Sequence, residues 1–146
     1  MPSVAPLRLG LLALASLAAG LAFALPADRI EAPSLTGVWR WTDPGQCREV
    51  YEYRPDGLGF ILSGEERTEM RYAMGPLDAA TGFHTLQVTV LKDHGGMDCT
   101  GSRQNDSGRE IKMYLKFKPE GDQHIVCVTP SLDACFGPLG RSPSSR

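Results

Sequence analysis

The sequence predicts an all-β domain, an antiparallel meander of seven or eight strands that closes into a small, disulfide-stabilised barrel. Apolar and polar residues alternate with period 2 in several short runs, as in strands with one buried and one solvated face. Turn-forming residues separate these runs by hairpin-short distances, so successive strands should pair as antiparallel neighbours. A closed meander leaves no exposed sheet edge, and a flattened sandwich is the alternative architecture.

The first 24 residues predict a signal peptide. Arg8 is the only charged residue before Asp28, and it precedes an apolar run from Leu9 to Leu25 that is rich in Leu and Ala. Together with the small-x-small pattern of residues 22–24, this arrangement is typical of a cleavable secretory signal. An uncleaved membrane anchor is the alternative, because about 17 apolar residues lie at the lower edge of spanning length. We expect cleavage, no stable membrane anchor, and a periplasmic or secreted protein.

Beyond the predicted signal, residues 25–36 carry two prolines and no periodicity, which predicts an extended lead-in to a barrel of residues 37–139. The clearest strand is Glu110–Lys118, in which every second residue is apolar. Residues 140–146 predict a flexible tail. The other predicted strands are Gly37–Trp41, Arg48–Arg54, Leu58–Leu62, Glu66–Met74, Phe83–Leu91 and His124–Val128, with an eighth near Ala134–Phe136.

The cysteines and the charge agree with export. An even number of cysteines in an oxidising compartment predicts two disulfides, and strand direction places all four near one rim of the barrel. Zinc needs closer ligand pairs than these spacings provide. Once Arg8 is removed with the predicted signal peptide, the chain has 14 basic and 17 acidic residues. Because nucleic-acid binders usually have an excess of basic residues, we expect no nucleic-acid partner. Three pairings of Cys47, Cys99, Cys127 and Cys135 are open, with Cys99–Cys127 and Cys47–Cys135 slightly favoured.

Gly37-Val38-Trp39 opens the first predicted strand. A Gly-x-Trp at this place in an up-and-down barrel resembles the signature of the lipocalins and calycins. In that family the Trp closes the barrel floor and packs against a late Arg, so the resemblance implies a barrel-closing role for Gly37, Trp39 and Arg141. The run from Cys47 to Glu66 also resembles small exported lipocalin-like bacterial proteins.

The second predicted strand has polar residues on both faces. Glu49, Tyr51 and Tyr53 share one face, and Arg48, Val50, Glu52 and Arg54 share the other. Some of these side chains either point into a wet cavity or form a cross-strand charge ladder. The ladder is the favoured interpretation, with Arg67, Glu69 and Arg71 as its partners.

The sequence predicts a binding protein and no enzyme. It contains no Gly-x-Ser-x-Gly elbow, no His-Glu-x-x-His and no phosphate-binding glycine loop, and its thiols are assigned to disulfides. Asp93, His94 and Asp98 cluster in a glycine-containing loop, but no further ligand segment is identified, so we expect neither a metal ion nor a cofactor.

The first functional hypothesis is a carrier that holds a small apolar or amphipathic ligand inside the barrel. The alternative is that the same side chains simply fill the core. The second hypothesis is a loop-mediated module that binds another exported protein through residues 43–46 and 93–101, such as an inhibitor of a secreted hydrolase or an envelope-assembly factor. The candidate ligand-lining residues are Leu58, Phe60, Leu62, Met70, Tyr72, Leu86, Val88, Val90, Ile111, Met113, Leu115 and Phe117.

Overall fold

The computed structural model describes residues 33–143, which form eight strands and no helix. No helix long and apolar enough to cross a membrane is found in this range. The predicted signal peptide, residues 25–32 of the predicted lead-in and the last three residues of the predicted tail lie outside the described residues. The strands are β1 (Gly37–Thr42), β2 (Arg48–Tyr53), β3 (Leu58–Ser63), β4 (Glu66–Asp78), β5 (Phe83–Asp93), β6 (Glu110–Phe117), β7 (Gln123–Cys127) and β8 (Cys135–Arg141).

The strands form one closed barrel, which confirms the predicted antiparallel meander. Each strand pairs with its neighbours in sequence, and β1 pairs with β8 to complete the circle. β8 reaches Arg141, two positions beyond residue 139. β4 is longer than the sequence predicts, because Gly75 and Pro76 lie within it instead of forming a turn, and β5 continues beyond Leu91 to Asp93. A register shift between Met74 and Leu77 accommodates them, as expected for a proline that cannot donate to the ladder.

One end of the barrel, the tryptophan end, is closed by Trp39. This side chain is fully buried, and its Nε1 donates to the carbonyl oxygen of Leu35 at 2.7 Å. The guanidinium carbon of Arg141 lies 4.1 Å from the centroid of the Trp39 ring, within cation–π distance. Nη1 of Arg141 donates to Thr36 O at 2.6 Å, and Nη2 of Arg141 donates to Ser34 O. The segment before β1 is therefore tied across the barrel floor.

Gly37 is required for this closure. Its φ is +131°, a conformation that residues with a side chain rarely adopt, and a Cβ here would lie 2.8 Å from Nη1 of Arg141. A side chain at position 37 would thus displace the guanidinium from Trp39.

Both disulfides lie at the opposite end, the disulfide end, as the strand directions predict, but the favoured pairing is wrong. The bonds are Cys47–Cys99 and Cys127–Cys135, and the described residues include no free cysteine. Cys127 on β7 lies directly opposite Cys135 on β8, so the strand register itself brings these two sulfurs together. Cys47 and Cys99 then link the β1–β2 connection to the β5–β6 connection.

Candidate ligand-binding site at the barrel seam

The barrel is incompletely paired between β1 and β8. Their ladder contains only two opposed pairs, Trp39 with Arg141 and Arg40 with Gly140. Ser142 N donates to Val38 O at 2.7 Å, so the even-numbered residues of β1 direct their backbone groups towards β8. Continuing this register would place Thr42 opposite Pro138, which has no N–H to donate. The ladder ends there, and the strands separate towards the disulfide end.

This separation opens a groove of about 760 Å³, here called the seam groove. Its walls are the end of β1 with the following turn on one side and the first half of β8 on the other. The groove is lined by Arg40, Trp41, Thr42, Asp43, Pro44, Cys135, Phe136, Gly137 and Pro138.

Inside the barrel lies a smaller cavity of about 100 Å³. Phe136 lines both the seam groove and this inner cavity. Its ring centroid is 5.5 Å from that of Trp41 and 6.2 Å from that of Tyr51, so aromatic side chains run continuously from the groove to the interior. The cavity is lined by Tyr51, Tyr53, Ile61, Met70, Leu86, Val88, Ile111, Met113, Val126 and Phe136.

A buried carboxylate lies beside these rings. Glu49 is 7% exposed and accepts hydrogen bonds from Ser63 Oγ, at 2.9 Å, and from the Tyr51 hydroxyl. Burial, and secondarily the charge of Glu49, raises the pKa of Tyr51 well above its usual value, so this phenol remains a donor. Ser63 Oγ also accepts from Cys99 N at 3.1 Å, which ties the carboxylate to a disulfide-bonded loop.

Tyr53 contributes a second polar group to the interior. It is 3% exposed, and burial raises the pKa of its hydroxyl. Its ring stacks on Tyr51 with centroids 6.5 Å apart and meets Tyr72 edge-on at 4.9 Å. Within residues 33–143, no hydrogen-bond partner is found for the Tyr53 hydroxyl, although the residue lines the inner cavity.

The structure places nine of the twelve candidate lining residues on the inner face and three outside. Leu58, Phe60 and Leu62 lie on the outer face of β3, where Phe60 is 40% and Leu62 is 41% exposed, so this part of the prediction is wrong. Of the nine, five line the cavity itself: Met70, Leu86, Val88, Ile111 and Met113. The other four are Tyr72, Val90, Leu115 and Phe117, which pack elsewhere on the inner face.

Gly59 explains the reversal of β3. This glycine faces inward between Tyr53 and Met70, and a Cβ on it would lie 2.5 Å from Glu52 O and 2.7 Å from Met70 Cε. The Met70 side chain therefore occupies the space that a side chain at position 59 would need. Ile61, two residues on, also faces the cavity.

The predicted charge ladder on β2 is also wrong. β3 lies between β2 and β4, and its outward residues opposite Arg67 and Glu69 are Leu62 and Phe60, which separate the charges on the two strands. The other face of β2, with Glu49, is the interior. Tyr51 and Tyr53, which share the face of Glu49, line the cavity although neither was predicted to do so. The predicted lining residues also did not include Ile61, Val126 and Phe136.

In the loop that contains Asp93, His94 and Asp98, the acidic side chains accept hydrogen bonds from the loop's own backbone. Asp93 accepts from Asp106 N at 2.9 Å and from Gly95 N at 2.7 Å, and the bond from Asp106 lowers its pKa. Burial, and then the charge of Asp93, raises the pKa of neighbouring Glu66 to about 7. Across residues 33–143, no three potential metal-ligating side chains form a group suited to a metal ion.

His124 is the buried titratable group of the tryptophan end. It is 1% exposed and packs edge-on against Trp39 with centroids 4.3 Å apart. Neither ring nitrogen has a hydrogen-bond partner among the described residues. Burial, and then the charge of Arg141, lowers its pKa to about 4, so the ring is neutral near pH 7.

Comparison with known proteins gives no match: no family model, no curated protein and no solved structure corresponds to this chain.

Proposed function

We propose that this protein is an exported, lipocalin-like binding protein that holds a small apolar or amphipathic ligand at the seam groove. The observation that carries the proposal is that Phe136 lines both the groove and the inner cavity. The groove volume of about 760 Å³ lies within the range of roughly 300–1,000 Å³ found for small-molecule sites. Two aromatic side chains, Trp41 and Phe136, line the groove together with polar and charged residues that include Arg40 and Asp43.

The inner cavity supports a ligand that enters from the side of the barrel. At about 100 Å³ it has room for only about three water molecules, far less than a drug-sized ligand. Leu35 and Trp39 cover the tryptophan end. In this proposal the ligand body lies in the seam groove, and one end of it reaches the inner cavity past Phe136.

Binding of the neutral fluorescent probe N-phenyl-1-naphthylamine tests the proposal. We expect the emission to increase with wild-type protein and Phe136→Ala to weaken binding by at least tenfold. Phe60→Ala is the matched control, because it removes an exposed aromatic ring from the outer face of β3. Near-ultraviolet circular dichroism verifies that both variants are folded. Equal affinities of the two variants, or no probe binding at all, would contradict the proposal.

A loop-mediated protein-binding function is the second candidate, and the rigidity of the disulfide end favours it. Oδ1 of Asp98 accepts from Thr100 N at 2.9 Å and from Ser102 N at 2.7 Å, while Cys99 is bonded to Cys47. The neighbouring Met97 is 46% exposed. Such preorganised loops lose little conformational entropy when they bind a partner.

Inhibition assays against a panel of secreted hydrolases distinguish the two functions. Inhibition that is lost in Met97→Glu but retained in Phe136→Ala would assign the function to the loops. Absence of inhibition across the panel, combined with probe binding that depends on Phe136, would leave the seam groove as the functional site.

A further inference from the structure

We propose that the outer face of β3 and β4 is a self-association surface, on which a second copy of this chain packs with the two β3 strands antiparallel. The surface, here called the β3 patch, consists of Phe60 and Leu62 on β3 with Arg67 and Glu69 beside them on β4. None of these four residues lines the seam groove, so this inference is independent of the proposed ligand-binding function.

The apolar part of the β3 patch is exposed to solvent. Phe60 is 40% exposed and Leu62 is 41% exposed, and Leu91 of β5, at the register shift beside Glu69, is 45% exposed. A hollow of about 410 Å³ on this face is lined by Phe60 and Leu62 together with Arg67 and Glu69. Single exposed apolar residues are common, but a group of them bordered by charges is typical of a protein–protein contact.

The charged part of the patch contains one positive and one negative residue in a fixed order. In the β3–β4 register, Arg67 lies opposite Leu62 and Glu69 lies opposite Phe60. Oε1 of Glu69 contacts Nε2 of His94 at 2.7 Å. The ion pairs found among residues 33–143 do not include Arg67. Each of the two opposite charges thus lies beside an exposed apolar side chain, and they are two residues apart on one strand.

This order of charges is complementary to itself. A two-fold axis that crosses β3 at right angles, between Phe60 and Leu62, packs Phe60 of each copy on Leu62 of the other. The same rotation places Arg67 of each copy against Glu69 of the other, so the ion pair forms twice. Two-fold contacts of this kind are the commonest way in which identical chains associate, and facing sheets pack with their strands nearly aligned.

The other two-fold arrangement, with the axis along β3, is unfavourable. Phe60 lies opposite Glu52 on one side and opposite Glu69 on the other. Rotation about an axis along the strand would therefore bring Glu52 of one copy over Glu69 of the other. Because like charges placed together across an interface are costly, the charge pattern selects the antiparallel arrangement.

Sedimentation equilibrium over a range of protein concentrations tests the inference. We expect wild-type protein to change from monomer to dimer within the micromolar range. Leu62→Glu places a charge in the apolar part of the patch and should weaken dimerisation at least tenfold. Leu132→Glu is the matched control, because it makes the same change at a residue that is 65% exposed between β7 and β8, and it should leave dimerisation unchanged. Near-ultraviolet circular dichroism verifies that both variants are folded.

Exchange of the two charges tests the antiparallel arrangement itself. Arg67→Glu and Glu69→Arg should each weaken dimerisation at least tenfold, because each converts two attractive pairs into two repulsive ones. The double variant should restore dimerisation, since the exchanged charges again face each other. Wild-type protein that stays monomeric at every concentration would overturn the inference, and this measurement needs no variant to fold. So would a Leu62→Glu variant that dimerises like wild type, or a folded double variant that stays monomeric.

Discussion

The two ends of the barrel are closed in different ways. At the tryptophan end, Trp39 and Leu139 are fully buried, and Arg141 ties the floor to the segment before β1. At the disulfide end the interior holds the carboxylate of Glu49, the seam between β1 and β8 is open, and two covalent bonds secure the loops. Side-chain packing thus stabilises the tryptophan end. Disulfide bonds stabilise the disulfide end, where the β1–β8 pairing stops and the groove begins.

The proposed site lies where the barrel is least completely paired. Pro138 cannot continue the β1–β8 ladder beyond Arg40, and the groove begins at that point. Disulfides at the same end limit the conformational freedom that the missing pairs would otherwise allow. Substitutions at the tryptophan end should therefore affect stability, and substitutions along the seam should affect binding.

The sharpest test of this contrast compares the two tryptophans. Trp39→Ala removes a fully buried ring and should lower the free energy of unfolding by about 3–5 kcal/mol. Trp41→Ala removes a partly buried ring at the seam and should cost only about 1–2 kcal/mol, because the groove already exposes part of it to water. Denaturant midpoints with the disulfides intact measure both changes. Equal losses would show that the two ends do not differ in this way.

The two disulfides should contribute unequally. Cys47–Cys99 joins residues 52 positions apart, and Cys127–Cys135 joins residues only 8 positions apart. On loop-closure entropy alone, paired Cys→Ser substitutions should cost about 4 kcal/mol for the first bond and about 2.5 kcal/mol for the second. Urea denaturation of the two double variants measures the difference. A larger loss on removing the shorter loop would mean that this bond also holds the groove wall at Cys135 in place.

At the tryptophan end, His124 should make the protein less stable in acid. Its pKa is lowered to about 4 from an ordinary 6.5. Between these pH values the unfolded chain binds a proton that the folded protein does not, so the free energy of unfolding falls as the pH decreases. In His124→Leu the stability relative to wild type should rise as the pH is lowered from 6.5 to 4. Thermal melts at fixed ionic strength test this, and a constant difference would contradict it.

At the disulfide end, Glu66 should act in the opposite direction and more weakly, since it is only partly buried. Its pKa is raised to about 7 from an ordinary 4.5. Between these values the folded protein holds a proton that the unfolded chain has released, so the free energy of unfolding falls as the pH rises. Glu66→Gln should gain stability relative to wild type as the pH is raised from 4.5 to 7. The same melts apply, with exposed Glu65→Gln as the matched control.

The strands and the closed barrel were predictable because period-2 alternation is a local signal. In β6, apolar Ile111 and Leu115 face the interior as their spacing indicates. In β3 the same alternation separates the two faces correctly, but the prediction placed the wrong face in the interior. The face that contains Gly59 is the inner one, because the Met70 side chain from the next strand fills the space beside this glycine. A pattern within β3 alone does not contain that contact.

The disulfide pairing and the groove depend on register between strands, which a local pattern does not contain. Cys127 pairs with Cys135 because the β7–β8 register places them opposite each other. Pro138 is visible in the sequence, but its effect on Thr42 requires knowing that the first and last strands are neighbours and how they align. The polar residues on both faces of β2 are visible in the sequence, but which face lies in the interior is fixed by the pairing of β2 with β3.

The contact between Arg141 and the segment before β1 also has a consequence for how the barrel folds. Hairpin-linked neighbours such as β2 and β3 meet after a short search, whereas Thr36 and Arg141 are 105 positions apart. The entropy of closing so long a loop must be lost before these contacts form, so joining β1 to β8 should be a late event. Contacts that form late affect the unfolding rate far more than the folding rate. Arg141→Ala should therefore shorten the lifetime of the folded barrel while leaving its rate of formation nearly unchanged.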